Sequence, residues 1–242
     1  MNSTQEKPRN RHPEFCSAKS GDPKKSTGFY KFRKDWIEPI LIALILVTII
    51  KTFFFQNFKI PSGSMEDTLL VGDYLFAAKF LYGTRIPYTD TFFWKIRDPR
   101  PGDIIVFRSV EEDKDLIKRC IAVGGQIVEI RDAKVYVDGI LQPLPPHGKI
   151  TDQAIVPGDF STRDNLPPVR VPKGQLFMMG DNRDNSYDSR FWGFLPVQKV
   201  RGKALFLYWS WDHTVPWVDV GHAPWIDVTH KVRWNRILTL IK

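Results

Sequence analysis

The sequence predicts a mainly β protein, an antiparallel coiled sheet or partial barrel, standing behind one N-terminal transmembrane helix. Short runs rich in Val, Ile, Phe and Tyr recur after residue 70, at 74–78, 103–107, 126–130, 134–137, 175–179 and 202–209. Gly, Pro, Asn and Asp separate them, the pattern of strands joined by turns. Asp138-Gly139 after the fourth run supports a hairpin. One apolar stretch near the N-terminus is long enough for a helix that crosses a membrane, and no helical repeat of comparable length follows it.

The elements follow in order. Residues 1–34 carry nine Lys/Arg against three acidic residues, or +6, so only +2 of the net +8 remains for everything else. A basic flank beside an apolar segment follows the positive-inside rule and attracts anionic membrane lipid. That distribution argues against nucleic acid as a partner. Residues 1–28, rich in Lys, Ser, Pro, Asn and Arg, read as disordered, whereas 43% hydrophobic and 26% charged residues overall exclude a wholly disordered chain.

From Trp36 through Phe55 runs a stretch of about 20 residues, or ~30 Å of helix, enough for a bilayer. Lys51 interrupts it and is expected to snorkel toward the far interface. Trp36 and Phe53-Phe54-Phe55 suit the two interfaces, and Pro39 is expected in the first turn, where its missing N–H matters least. A long polar lead-in and no small-residue cleavage site behind it speak for an uncleaved anchor with the N-terminus inside and the body outside. The expected organisation is a basic cytoplasmic tail at 1–34, an anchor at 35–57 and a β-rich extracytoplasmic body at 58–242. Seven prolines within 143–172 forbid a central strand there and predict a surface loop or peripheral ribbon inserted in the body.

Cys16 and Cys120 fall on opposite sides of such an anchor, so no disulfide joins them, and neither has a partner at metal-ligand spacing. Cys120 reads as a packing residue. Five of eight tryptophans lie after position 208; Trp209 and Trp234 are expected to pack in the core. Trp211, Trp217, Trp225 and the Phe92-Phe93-Trp94 run divide evenly between packing and an aromatic surface resting in lipid headgroups.

The chemistry concentrates in three segments. Ile60-Pro61-Ser62-Gly63-Ser64-Met65 is a small-residue turn that presents a serine hydroxyl just past the anchor, with Gly63 expected to relieve the backbone. Serine needs a neighbouring base, and none of the five histidines stands in a motif with a serine. Lys118 is the candidate, set among Leu116, Ile117, Ile121 and Val123, with Met65 as a further wall; apolar burial is what brings a lysine pKa down. Arg119 beside it reads as solvated. The third segment, residues 178–190, packs turn formers, hydroxyls and paired charges together, and Asp181, Asn182 and Asn185 read as turn caps.

These segments, in this order behind an N-terminal anchor and joined by Pro101-Gly102-Asp103-Ile104-Ile105-Val106-Phe107, resemble the type I signal peptidases over about residue 58 to about residue 207. The resemblance implies a membrane-bound serine endopeptidase that removes signal peptides from exported preproteins at the bacterial inner membrane, with no metal or organic cofactor. It implies Ser64 as nucleophile, Lys118 as general base and Ser186 as the group that orients the lysine amine. The Ser64 N–H and Ser62 Oγ form the oxyanion hole, and Asp188 and Arg190 make a supporting ion pair. Substrate is expected to bind extended beside residues 58–61 and 115–117, with Phe58, Ile60, Pro61, Met65, Leu69, Leu116 and Ile117 forming shallow pockets for small residues. Family members commonly carry proline at the position of Asp67 and aspartate at that of Gln126, so the stiffness of the turn after Ser64 and a polar contact near the lysine strand come into question. Two rivals remain: a Ser/Lys protease of the self-cleaving repressor type, and a catalytically silent anchored β-domain that binds lipid or a secretion partner.

Overall fold

A helix of 22 residues runs from Arg33 to Phe54, long and apolar enough to cross a bilayer and unburied along its length. The computed structural model describes residues 31–85, 92–215 and 231–242. Contacts divide the chain into two units, Met1–Ile45 and Leu46–Lys242. The α-helical part is Glu38–Ile49, and the turns on either side, Arg33–Ile37 and Ile50–Phe54, are π-helical. Pro39 therefore sits past the first turn, contrary to expectation. A proline there removes an N–H and crowds the preceding turn, and a wider π turn just ahead of it is one way to accommodate that.

The helix also stops short of residue 57. Phe55–Lys59 is strand β1, paired antiparallel with β2 (Asp73–Ala78) from Phe55↔Ala78 to Lys59↔Tyr74. Once Phe55 lies edge-on to Phe76 and Phe80, aromatic packing and a full ladder outweigh another helical turn.

All six sequence-predicted runs are strands, and the body is mainly β. After the short pair β3 (Thr84–Arg85) and β4 (Phe92–Phe93) come β5 (Ile104–Arg108), β6 (Asp115–Val123), β7 (Ile127–Arg131), β8 (Lys134–Val137) and β9 (Ile140–Leu141). Then follow β10 (Leu166–Arg170), β11 (Gln175–Met179), β12 (Leu195–Pro196) and β13 (Val200–Ser210). Seven strands form an antiparallel sheet in the order β1-β2-β13-β5-β6-β11-β12, and β10-β7-β8-β9 form a smaller one. The larger sheet curls into a half-barrel. Bulges in β13 against both β2 and β5 supply bending. At Gly202 a Cβ would lie 2.6 Å from Ala78 O, so only glycine lets β13 pass there.

The β8–β9 hairpin turns through Asp138 (φ 51) and Gly139 (φ 80), the left-handed pair that a type I′ turn requires. Gln126 supplies the polar contact that its departure from aspartate brought into question: it accepts from Val123 N (3.0 Å) and donates to Asp138 Oδ2 (3.0 Å). β10 lies inside the proline-rich segment but at the edge of the small sheet. Its register slips between Leu166 and Val169, across Pro167 and Pro168, which donate nothing to the ladder.

The turn at 60–72 folds onto the large sheet. Ile60, Met65 and Leu69 bury themselves with Leu75, Ile104, Val106, Ile117 and Leu207. Asp73, wholly buried, anchors that turn: it accepts from Leu70 N (2.8 Å), Ser210 Oγ (2.6 Å) and the Arg236 guanidinium (2.6 Å). Trp209 meets Trp234 edge-on at 6.2 Å, but Trp234 is 59% exposed and is no core residue. It lies on a short 3-10 turn, Trp234–Arg236, that buries none of its residues. Trp94 is likewise exposed, and Trp217 and Trp225 lie outside the described residues.

Candidate active site

Ser64 occupies the 3-10 turn Gly63–Met65, whose base is closed by Ile60 N–H to Asp73 O (2.9 Å) and Gly72 N–H to Ile60 O (3.0 Å). Gly63 is not strained, and a Cβ there would meet only the Glu66 side chain at 3.6 Å, so it does not relieve the backbone as expected. The strained position is Asp67, at φ 73, a conformation closed to proline.

Lys118 lies on β6, opposite Ile105 of β5, in the interior of the seven-stranded sheet. Only 3% of it is exposed, and its Nζ donates a short hydrogen bond to Ser64 Oγ. Burial is the main cause that brings its pKa down, to about 8; the Asp188 carboxylate opposes this and the Arg190 guanidinium reinforces it. Near neutral pH a usable fraction of the amine is therefore unprotonated and able to accept a proton. Cys120, two residues on, is fully buried, and burial pushes its thiol up to about 12, leaving it inert.

The 180–190 loop closes against the serine turn through Gly180, where any Cβ would collide with Ser186 Oγ and the Ser64 backbone oxygen. Asp188 and Arg190, both buried, form a two-bond pair (2.8 and 2.9 Å). Asp188 also takes the Gly180 N–H (3.0 Å), while Arg190 holds the carbonyls of Arg183 (2.6 Å) and Arg163 (3.0 Å). Ser186 does not bond the lysine: its Oγ is buried with no hydrogen-bond partner among the described residues, while the amine donates to Ser64 Oγ.

Two further expectations are corrected. Arg119 is buried, not solvated, and grips Asp181 through Nε (2.8 Å) and Nη2 (2.7 Å); on so buried a strand a lone guanidinium would be prohibitive. Asp181 is thus an ion-pair partner rather than a turn cap, and it accepts from Thr68 Oγ1 (2.6 Å), tying the loop to the serine turn. Asn182 likewise reaches across that junction: its N–H bonds Ser64 O (3.2 Å) and its Nδ2 bonds Gly63 O (3.1 Å). Asn185 closes a backbone turn onto Asn182 O (3.2 Å).

Beside Ser64 runs a cleft of about 40 Å³, walled by 58–62 on one side and 115–118 on the other, with Val106 between. Phe58, Ile60, Pro61, Leu116 and Ile117 line it as expected, together with Ser62, whose residue is exposed. Met65 and Leu69 do not, because both are fully buried in the core beneath the turn. Lys59 and Asp115, within the 58–61 and 115–117 segments expected beside substrate, line it too, whereas Val106 was not anticipated. The register Val106↔Ile117 marks Val106 as a neighbour, a relation visible only once strands are paired. β11 covers β6 from Arg119 onward, so the outer edge of Asp115–Lys118 faces no strand among the described residues. β1 is the outermost strand of its sheet.

A serine hydroxyl that accepts from a buried amine thus stands beside a small cleft in a mainly β body. Comparison with known proteins gives the family: residues 33–209 match the family model described as Signal peptidase, peptidase S26, and the chain belongs to that family. It is 34% identical over 211 residues to a Signal peptidase I of Pseudomonas aeruginosa, covering 72% of this chain and 74% of that one. Over 187 residues it is 40% identical to the Probable signal peptidase I-1 of Synechocystis, covering 74% and 84% respectively. A Signal peptidase I of Aquifex aeolicus is 33% identical over 229 residues, with coverage of 74% and 84%. The chain is accordingly an endopeptidase of the serine type.

Proposed function

We propose that this chain is a membrane-anchored signal peptidase that cleaves exported preproteins with Ser64 as nucleophile and Lys118 as general base. The observation that carries this reading is the buried Lys118 amine on Ser64 Oγ. A silent β-domain has no use for an amine buried at this cost, and the S26 family membership argues against one as well.

In this reading neutral Lys118 takes the Ser64 proton as Oγ attacks the scissile carbonyl. The Ser64 N–H and Ser62 Oγ donate to the oxyanion. Collapse breaks the C–N bond, the lysine ammonium returns its proton to the leaving amine, and an ester remains on Ser64. Water, deprotonated by the regenerated amine, then attacks the ester and frees Ser64. Asp188–Arg190 and Arg119–Asp181 act as braces that hold the loop and turn in place.

Substrate enters as an added strand between β1 and the uncovered stretch of β6, where backbone groups remain for pairing. The small cleft selects small side chains before the scissile bond. A preprotein with alanine there should be cleaved, and replacing that alanine by phenylalanine should block cleavage. Equal cleavage of the two would rule this pocket out.

The apolar helix serves as a single span in the bacterial inner membrane, with the basic N-terminal residues on the cytoplasmic side. Protease added to right-side-out membrane vesicles should digest the body and spare residues 1–34. A protected body would invert this topology.

A further inference from the structure

Ser64 is bracketed by one residue, through its side chain on one side and its backbone on the other. Asn182 Nδ2 donates to Gly63 O (3.1 Å) and to Glu66 Oε2 (3.2 Å), and Asn182 N–H donates to Ser64 O (3.2 Å). Both side-chain partners are acceptors, so only the NH2 end of the amide can face them. The carbonyl of Gly63 and the N–H of Ser64 belong to one planar trans peptide and point in opposite directions. Fixing the first fixes the second, and the second is the backbone donor of the oxyanion hole.

Glu66 is held in turn from outside the site. Lys149 Nζ bonds Glu66 Oε2 (3.0 Å) and lies 3.3 Å from Asp67 Oδ2. Lys149 belongs to the proline-rich insertion, and its own backbone is locked to the 180–190 loop: its N–H donates to Asp181 O (3.0 Å) and its carbonyl accepts from Arg183 N–H (3.0 Å). The ammonium thus straps down the two carboxylates that follow Ser64, at the point where Asp67 takes its left-handed backbone.

We propose that Asn182, steadied by the Lys149–Glu66 contact, is a positioning residue that aims the Ser64 N–H at the developing oxyanion, so that the insertion takes part in catalysis. This rests on the reading of Ser64 as nucleophile. Lys149 and Glu66 are partly exposed, so the contact adds little to stability, and its loss should be felt in rate rather than in folding.

The test is steady-state cleavage of a signal-peptide substrate by the full chain in detergent micelles. Asn182→Ala should lower kcat by about tenfold to 100-fold, the scale of a misaimed catalytic group, with KM little changed. Lys149→Ala should lower kcat several-fold, and Lys149→Arg should restore most of it. The double variant should be little worse than Asn182→Ala alone, since both act through one peptide plane. The pH midpoint of kcat should stay where Lys118 sets it. Unchanged kcat in both single variants, losses that multiply in the double variant, or a displaced midpoint would each overturn the proposal. A Ser64→Ala enzyme that still cleaves would overturn the underlying reading instead, so the two failures are distinguishable.

Discussion

Ser64→Ala should lose preprotein cleavage by about 10⁴- to 10⁶-fold, the range seen when a serine nucleophile is removed. Among the described residues no other hydroxyl receives the buried Lys118 amine, so none inherits the activity. The fold should survive. The side chain is small, and its neighbours Met65 and Leu69 continue to hold the turn in the core. Leaving the amine without its acceptor costs about 1–3 kcal/mol, a shift in melting temperature and not a collapse. Cleavage near the parental rate would remove Ser64 from the mechanism.

Lys118→Arg should be comparably inactive at every pH. Guanidinium keeps its proton throughout the accessible range and has no lone pair to offer Ser64. A lysine acting only by its positive charge would tolerate the exchange. Because a bulkier guanidinium is hard to seat where only 3% of the lysine is exposed, Lys118→Met serves as companion: it matches the apolar surroundings, should fold, and should be equally silent. Substantial cleavage by the arginine enzyme would mean that another group is the base.

The strands were legible because each is a short β-rich run closed by turn formers, and the type I′ turn at Asp138-Gly139 is local chemistry. Lys118 emerged from the lack of a histidine in any motif with a serine and from its apolar neighbours, both visible along the chain. What escaped notice depends on pairing across distance. Arg119 and Asp181 lie 62 residues apart, and nothing beside Arg119 announces that its strand is buried on both faces. Lys149 and Glu66 are 83 residues apart. Phe55 continues an aromatic run, so only its partners on β2 and at Phe80 decide between helix and strand. Met65 and Leu69 follow the serine in sequence, yet the turn points them into the core and leaves the cleft to β1, β5 and β6.

The most direct test of the Ser/Lys pair is the pH dependence of the acylation rate, measured in single turnover. Only the neutral amine can take the serine proton, and the neutral fraction grows as pH rises through the lysine pKa. The rate should therefore climb about tenfold per pH unit at low pH, bend near the lysine midpoint of about 8, and level off above it. A rate that is flat from roughly pH 6 to roughly pH 10, or one that bends only near the ordinary lysine range at about 10.4, would contradict a buried Lys118 acting as the base.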